Sequence, residues 1–75
     1  MIKALFWAHK KIYGYPCRHH VRLALSQDLI SDSFNWRIGM LYVCGEEVSS
    51  IAKHMEVSRD TIRHILIMLT LGVKL

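Results

Sequence analysis

Arg59, Thr61, Arg63 and His64, in the stretch "SRDTIRHIL", could do chemistry of one kind. On a helix whose opposite stripe is apolar they form one donor-rich outer face. An arginine fork grips phosphate oxygens, or the O6 and N7 edge of a guanine, with two hydrogen bonds. Ser49, Ser50 and Lys53 lie a few residues upstream, and Ser58 stands immediately before. Those groups add hydroxyl and ammonium donors nearby.

The remaining chemistry-bearing residues are less organised. Cys17 and His20 have the C-x-x-H spacing of half a metal site, which Cys44 with His54 or His64 would have to complete. Structural zinc sites usually offer two close pairs, and only one exists here. No metal or other cofactor is therefore expected, and the five histidines read as polar surface groups. Both cysteines read as free thiols packed as small apolar residues. Serine, histidine and aspartate occur without a nucleophile elbow, phosphate loop or paired acidic motif, so no enzyme is expected.

The elements that must position these residues are helices. Ile2, Leu5, Phe6, His9, Ile12 and Tyr13 have the spacing of one helical face, and Gly14 follows as a helix-ending glycine. Pro16 suits the first turn of a second helix running to about Asp28, with Val21, Ala24 and Leu25 as its apolar stripe. "SDS" at 31–33 supplies caps for a third helix from Phe34 to about Cys44. Phe34, Ile38, Leu41 and Tyr42 form its stripe, while Trp36, Met40 and Val43 spread apolar surface around it, so it should be central. Gly45 closes it.

Val48, Ile51, Ala52 and Met55 then mark an amphipathic helix over about 47–55. After "EVS", Ser58 is placed to cap a further helix over about 59–71 by accepting an amide from Asp60 or Thr61. Ile62, Ile65, Leu66 and Leu69 are its buried stripe. Ala52 is small where the two helices would cross, and Val57 plugs the turn into the core. The expectation is an all-α, single domain over 1–75 with four to five helices. It comprises an N-terminal helical pair over 1–30, of unassigned role, and a two-helix unit within 34–73.

At these residues a resemblance enters. "IAKHMEVSRDTIRHIL" resembles the helix-turn-helix of bacterial and phage transcription regulators. "VSRDTIRHILIML" is similar to the recognition helix of Crp-type proteins, and the placement of Gly45 before Ile51 is similar to LuxR-type domains and sigma factor region 4. The likeness covers about residues 34–73 and spans several subfamilies. Glu56 stands where repressor-type motifs commonly have glycine. The resemblance implies a double-stranded DNA-binding transcription regulator. Arg59, Thr61, Arg63 and His64 would face the bases and flanking phosphates, and Ser49, Ser50, Lys53 and Ser58 the phosphate backbone. Lys10, Lys11, Arg18 and Arg22 would extend that footprint if their helices lie beside the motif.

Composition bounds the partners. The chain has 75 residues, 52% of them apolar, and a net charge of +4. Its first 35 residues carry five cations against two acids, and the rest is nearly balanced. A basic chain suits a polyanion, but charge alone selects no ligand. "ALFWA" is too short for a secretion signal, and "ILIML" falls far below the roughly 20 apolar residues of a membrane span. A cytoplasmic protein with no membrane partner is expected.

On the last helix Ile67 and Leu71 project away from the buried stripe. Either residues 1–30 cover them or they pair two copies, and a homodimer through this helix would double the phosphate contacts. The alternative function is a small interaction module docking on RNA polymerase, a sigma factor or another DNA-bound protein through that helix or through Phe6 and Trp7. A phage packaging subunit that recognises DNA is a third reading.

Overall fold

The computed structural model describes the backbone of residues 2–73 and the side chains of residues 8–73. Among the described residues there are five α-helices and no strand: α1 Ile2–Tyr13, α2 Arg18–Ser26, α3 Ser33–Val43, α4 Val48–Met55 and α5 Arg59–Leu69. None is long and apolar enough to cross a membrane.

α3 is the hub, packed against α2, α4 and α5. Asp32 starts it by accepting the amides of Phe34 at 2.9 Å and Asn35 at 3.1 Å, two donors that the first turn cannot satisfy internally. It buries Ile38, Gly39 and Tyr42. Around it Val21 and Ala24 of α2, Ile51 and Ala52 of α4, and Ile62, Ile65, Leu66 and Leu69 of α5 complete the core. Burying each large side chain contributes roughly 1.5–3 kcal/mol. Gly39 is what lets three helices meet, because a Cβ there would come within 3.3 Å of Leu69 Cδ1 and 3.5 Å of Val21 Cγ1.

α1 stands apart from this core. Among its described side chains, Ala8 to Tyr13, none is buried, and Ile12 is 73% exposed. The predicted face of α1 therefore does not seat Ile12 in the core. Ile2, Leu5, Phe6 and Trp7 lie outside the described side chains. Among the described side chains the contacts of α1 are polar and aromatic: His9 Nδ1 lies 2.9 Å from the Tyr15 carbonyl, and the rings of His9, Tyr13 and Tyr15 pack together.

Several boundaries differ from the sequence expectation. Pro16 is buried ahead of α2 rather than in its first turn, because its carbonyl accepts the Tyr42 hydroxyl at 2.7 Å and Cys17 becomes the cap position. α2 stops at Ser26, with Asp28 in the left-handed region at φ 56°. α5 ends at Leu69 rather than near residue 71, where the Thr70 hydroxyl turns back to the carbonyls of Leu66 and Ile67. Phe34 is largely exposed, since the α3 stripe enters the core only from Ile38 onward. Cys44 is exposed, so only the half-buried Cys17 fits the reading of packed thiols.

Candidate nucleic-acid interface

α4 and α5 are joined by a three-residue turn, Glu56–Ser58. Glu56 adopts the left-handed conformation, φ 60° and ψ 42°, and two bonds close the end of α4. The Val57 amide donates to the Ala52 carbonyl at 3.0 Å, and the Glu56 amide to that of Lys53 at 3.4 Å. This is the Schellman arrangement, which glycine usually serves and which glutamate here serves under strain. Val57 packs against the core and fixes the turn from beneath. Ser58 caps α5: its Oγ accepts the Thr61 amide at 3.1 Å and lies 2.8 Å from the Thr61 hydroxyl.

On this frame Arg59, Thr61 and His64 of α5 are exposed, as are Ser49, Ser50 and Lys53 of α4 and Ser58 between them. Thr61 has its hydroxyl engaged with Ser58, so its free outer group is the methyl. Arg63 is half-buried. It is ion-paired with Asp60 one turn earlier, and its Nη1 lies 3.9 Å from the place a Cβ on Gly14 would occupy. The end of α1 and the start of α5 are thus neighbours.

Between them lies an open cleft of about 860 Å³. Ser49, Ser58, Arg59 and Arg63 of the predicted set line it, whereas Ser50, Lys53, Thr61 and His64 do not. His9, Tyr13, Tyr15, Tyr42, Arg18, Glu47, Val48 and Asp60 complete the wall, and of these only Arg18 was named from the sequence, as an extension of the phosphate footprint. The aromatic pair flanking Gly14 in "YGYP" is the one local signal that pointed there. Tyr42 is brought to the cleft only by the packing of α3.

Within the cleft the cations are not equivalent. Arg18 donates from Nε to the Tyr42 carbonyl at 2.9 Å and from Nη2 to the carbonyls of Glu46 at 3.1 Å and Gly45 at 3.3 Å. Its guanidinium also stands 4.8 Å from the Tyr42 ring centre. It is a fixed clasp on the end of α3, not a member of an outer phosphate footprint. Arg63 is shared with Asp60. Arg59 has no partner among the described residues, and so carries the uncommitted charge.

Tyr42 is 2% exposed, and its hydroxyl is pushed up to about 12, first by burial and next by Tyr15, with Arg18 acting in the opposite sense and Cys17 adding to the rise. His20 is held below its ordinary value by burial and by Lys10. Among the described residues no three of histidine, cysteine, aspartate and glutamate gather to hold a metal ion.

Comparison with protein-family models, with curated proteins and with solved structures gives no match, so the functional reading rests on the residues themselves.

Proposed function

We propose that this chain binds double-stranded DNA through α4 and α5, acting as a helix-turn-helix, and regulates transcription. The observation that carries the reading is the division of labour within this helix pair. Ile51, Ala52, Ile62 and Leu66 lock the two helices into the core, while Ser49, Ser50 and Lys53 of α4, Ser58 of the turn, and Arg59, Thr61 and His64 of α5 remain exposed. A helix-turn-helix presents the N-terminal residues of its second helix to base edges in the major groove, and its first helix to the backbone. The exposed residue types fit those roles: Arg59 for guanine or phosphate, His64 for a base edge, and Ser49, Ser50 and Lys53 for phosphate. Arg63 joins them once its pairing with Asp60 is exchanged for a phosphate.

The test is binding of the full chain to duplex DNA over a range of salt concentrations, beside Arg59→Ala/Arg63→Ala. Wild-type binding should weaken steeply with salt. The double variant should lower the slope of log K against log salt by about two, roughly 0.9 for each phosphate left without its cation. An unchanged slope, with helical content intact, would remove α5 from the interface.

A second reading has its own support. Phe34, Trp36, Met68 and Leu71 are large apolar side chains left exposed on α3 and at the end of α5, which suits docking on a protein such as RNA polymerase or a sigma factor. Apolar docking depends little on salt, so the same titration separates the two.

A further inference from the structure

The cleft beside α5 gives the N-terminal helix a task. We propose that this cleft receives a phosphodiester of the bound DNA backbone with its adjoining sugar, gripped by the Arg59 guanidinium and the Tyr13 hydroxyl, so that α1 is a second DNA-contacting element. This rests on the DNA reading above and deepens it.

The donors of the cleft differ in how far they are already committed. Arg18 is spent on the carbonyls around the end of α3, and Arg63 is shared with Asp60. That leaves Arg59, together with the Tyr13 hydroxyl, which has no hydrogen-bond partner among the described residues although its ring is held 4.5 Å from that of His9 and 6.0 Å from that of Tyr15. A phenol fixed by neighbouring rings and left 54% exposed is a prearranged donor facing solvent. Such a donor is a better match for an anion than a mobile lysine tip, because little side-chain freedom is lost on binding.

The cleft's form chooses among ligands. Small-molecule pockets are enclosed and mostly apolar. This one is open, and tyrosine, arginine and serine dominate its wall. It also holds the exposed carboxylates of Glu47 and Asp60, the second matched by its ion pair with Arg63. A chain crossing the opening, with its phosphate at Arg59 and its sugar on the tyrosine faces, meets a cation, a phenol donor and flat apolar surface together. Position agrees, because Arg63 adjoins Gly14 and the end of α1 therefore flanks the start of the proposed groove-reading helix. Tyr13 and Arg59 line the same cleft, from the end of α1 and the start of α5.

The experiment is a double-mutant cycle on the full chain, read as duplex-DNA affinity and salt slope for wild type, Tyr13→Phe, Arg59→Gln and both together. Tyr13→Phe keeps the ring and removes only the hydroxyl, at a site exposed enough to leave folding intact. It should weaken binding about fivefold with the salt slope unchanged, since a neutral donor releases no counterion, whereas Arg59→Gln should reduce the slope by about one. The double variant should lose less than the product of the two single losses, the mark of two donors on one phosphate. Wild-type affinity in Tyr13→Phe, with Arg59→Gln impaired, overturns the cleft assignment and leaves the DNA reading standing. Strictly multiplicative losses also overturn it. Absence of duplex binding by the wild type at low salt removes both.

Discussion

Tyr42 shows how much a single residue can hold. Its ring fills the centre of the core, its hydroxyl donates to the buried Pro16 carbonyl, and its own carbonyl accepts Arg18. One side chain therefore links the α1–α2 connection to α3, and its backbone links α2 to the end of α3. Tyr42→Phe should leave the Pro16 carbonyl unpaired in a dry site and cost about 1–3 kcal/mol, measured by urea unfolding at neutral pH. The pH dependence has a defined sign. An unfolded tyrosine ionises near 10 whereas Tyr42 in the fold ionises at about 12. The stability this difference contributes is fully present below pH 10 and is lost as pH rises through 12, because the unfolded chain gives up its proton first. Unfolding curves from pH 8 to 12 should thus fall more steeply for wild type than for Tyr42→Phe. Parallel curves would show that burial of this hydroxyl is not what resists ionisation.

At the scale of elements the helix ends carry the design. α1, α2, α3 and α4 are each followed by a residue with positive φ: Gly14, Asp28, Gly45 and Glu56. The two glycines adopt it without penalty, and the two acids have a Cβ that opposes it. Glu56 lies in the turn that sets the angle between α4 and α5, so its strain sits under the candidate interface. Glu56→Gly should relieve that strain by about 1 kcal/mol and raise the melting temperature by roughly 4–8 °C for a domain of this size. It also removes an acid from the α4–α5 turn, so DNA affinity should rise rather than fall. A lower melting temperature would mean that the Glu56 side chain makes a stabilising contact that outweighs its backbone conformation. α1 shows the opposite case, an element whose amphipathic pattern is plain but whose described half buries nothing. Helices of about 12 residues are marginal alone in water, so contacts at its C-terminal end matter more than its own propensity.

At the scale of the whole molecule the exposed apolar end of α5 bears on association. Leu71 is 74% exposed and Met68 about half exposed, on the end of α5 away from the cleft. Of the two residues expected to project outward, Ile67 is half-buried, whereas Leu71 is left uncovered by the described residues, although the Leu29 side chain reaches Gly72, 3.6 Å from its Cβ position. We propose that two copies pair there, which would place two DNA-contacting faces in one particle. Sedimentation of wild type should then show a concentration-dependent dimer, and Met68→Lys/Leu71→Lys should be monomeric with its helical content intact, because both side chains are exposed in the single chain, while its melting temperature loses the dependence on concentration that a dimer confers. Equal sedimentation of the two proteins would remove this surface from any dimer.

The sequence by itself determined the helical class, the apolar stripe of α5, the Ile38 and Tyr42 part of that of α3 and the Ile51 and Ala52 part of that of α4, the cap at Ser58 and the two glycine-ended helices. Those features follow from local rules, spacing of 3.6 residues, side-chain caps and backbone sterics, which act within a few residues of chain. Only tertiary structure decided that Arg18 clasps the end of α3, that Asp28 and Glu56 bend into the left-handed region, and that α1 lies beside the core. Each of these depends on which distant surface a residue meets, and no periodicity encodes that. The candidate interface divides the same way. The exposure of Arg59, Thr61 and His64 was legible because the buried stripe of α5 leaves them no other side, whereas the half-buried place of Arg63 beside Gly14 was not. The cleft was not, because Tyr13, Tyr42 and Arg59 come from three separate helices, and their proximity exists only once the core has closed.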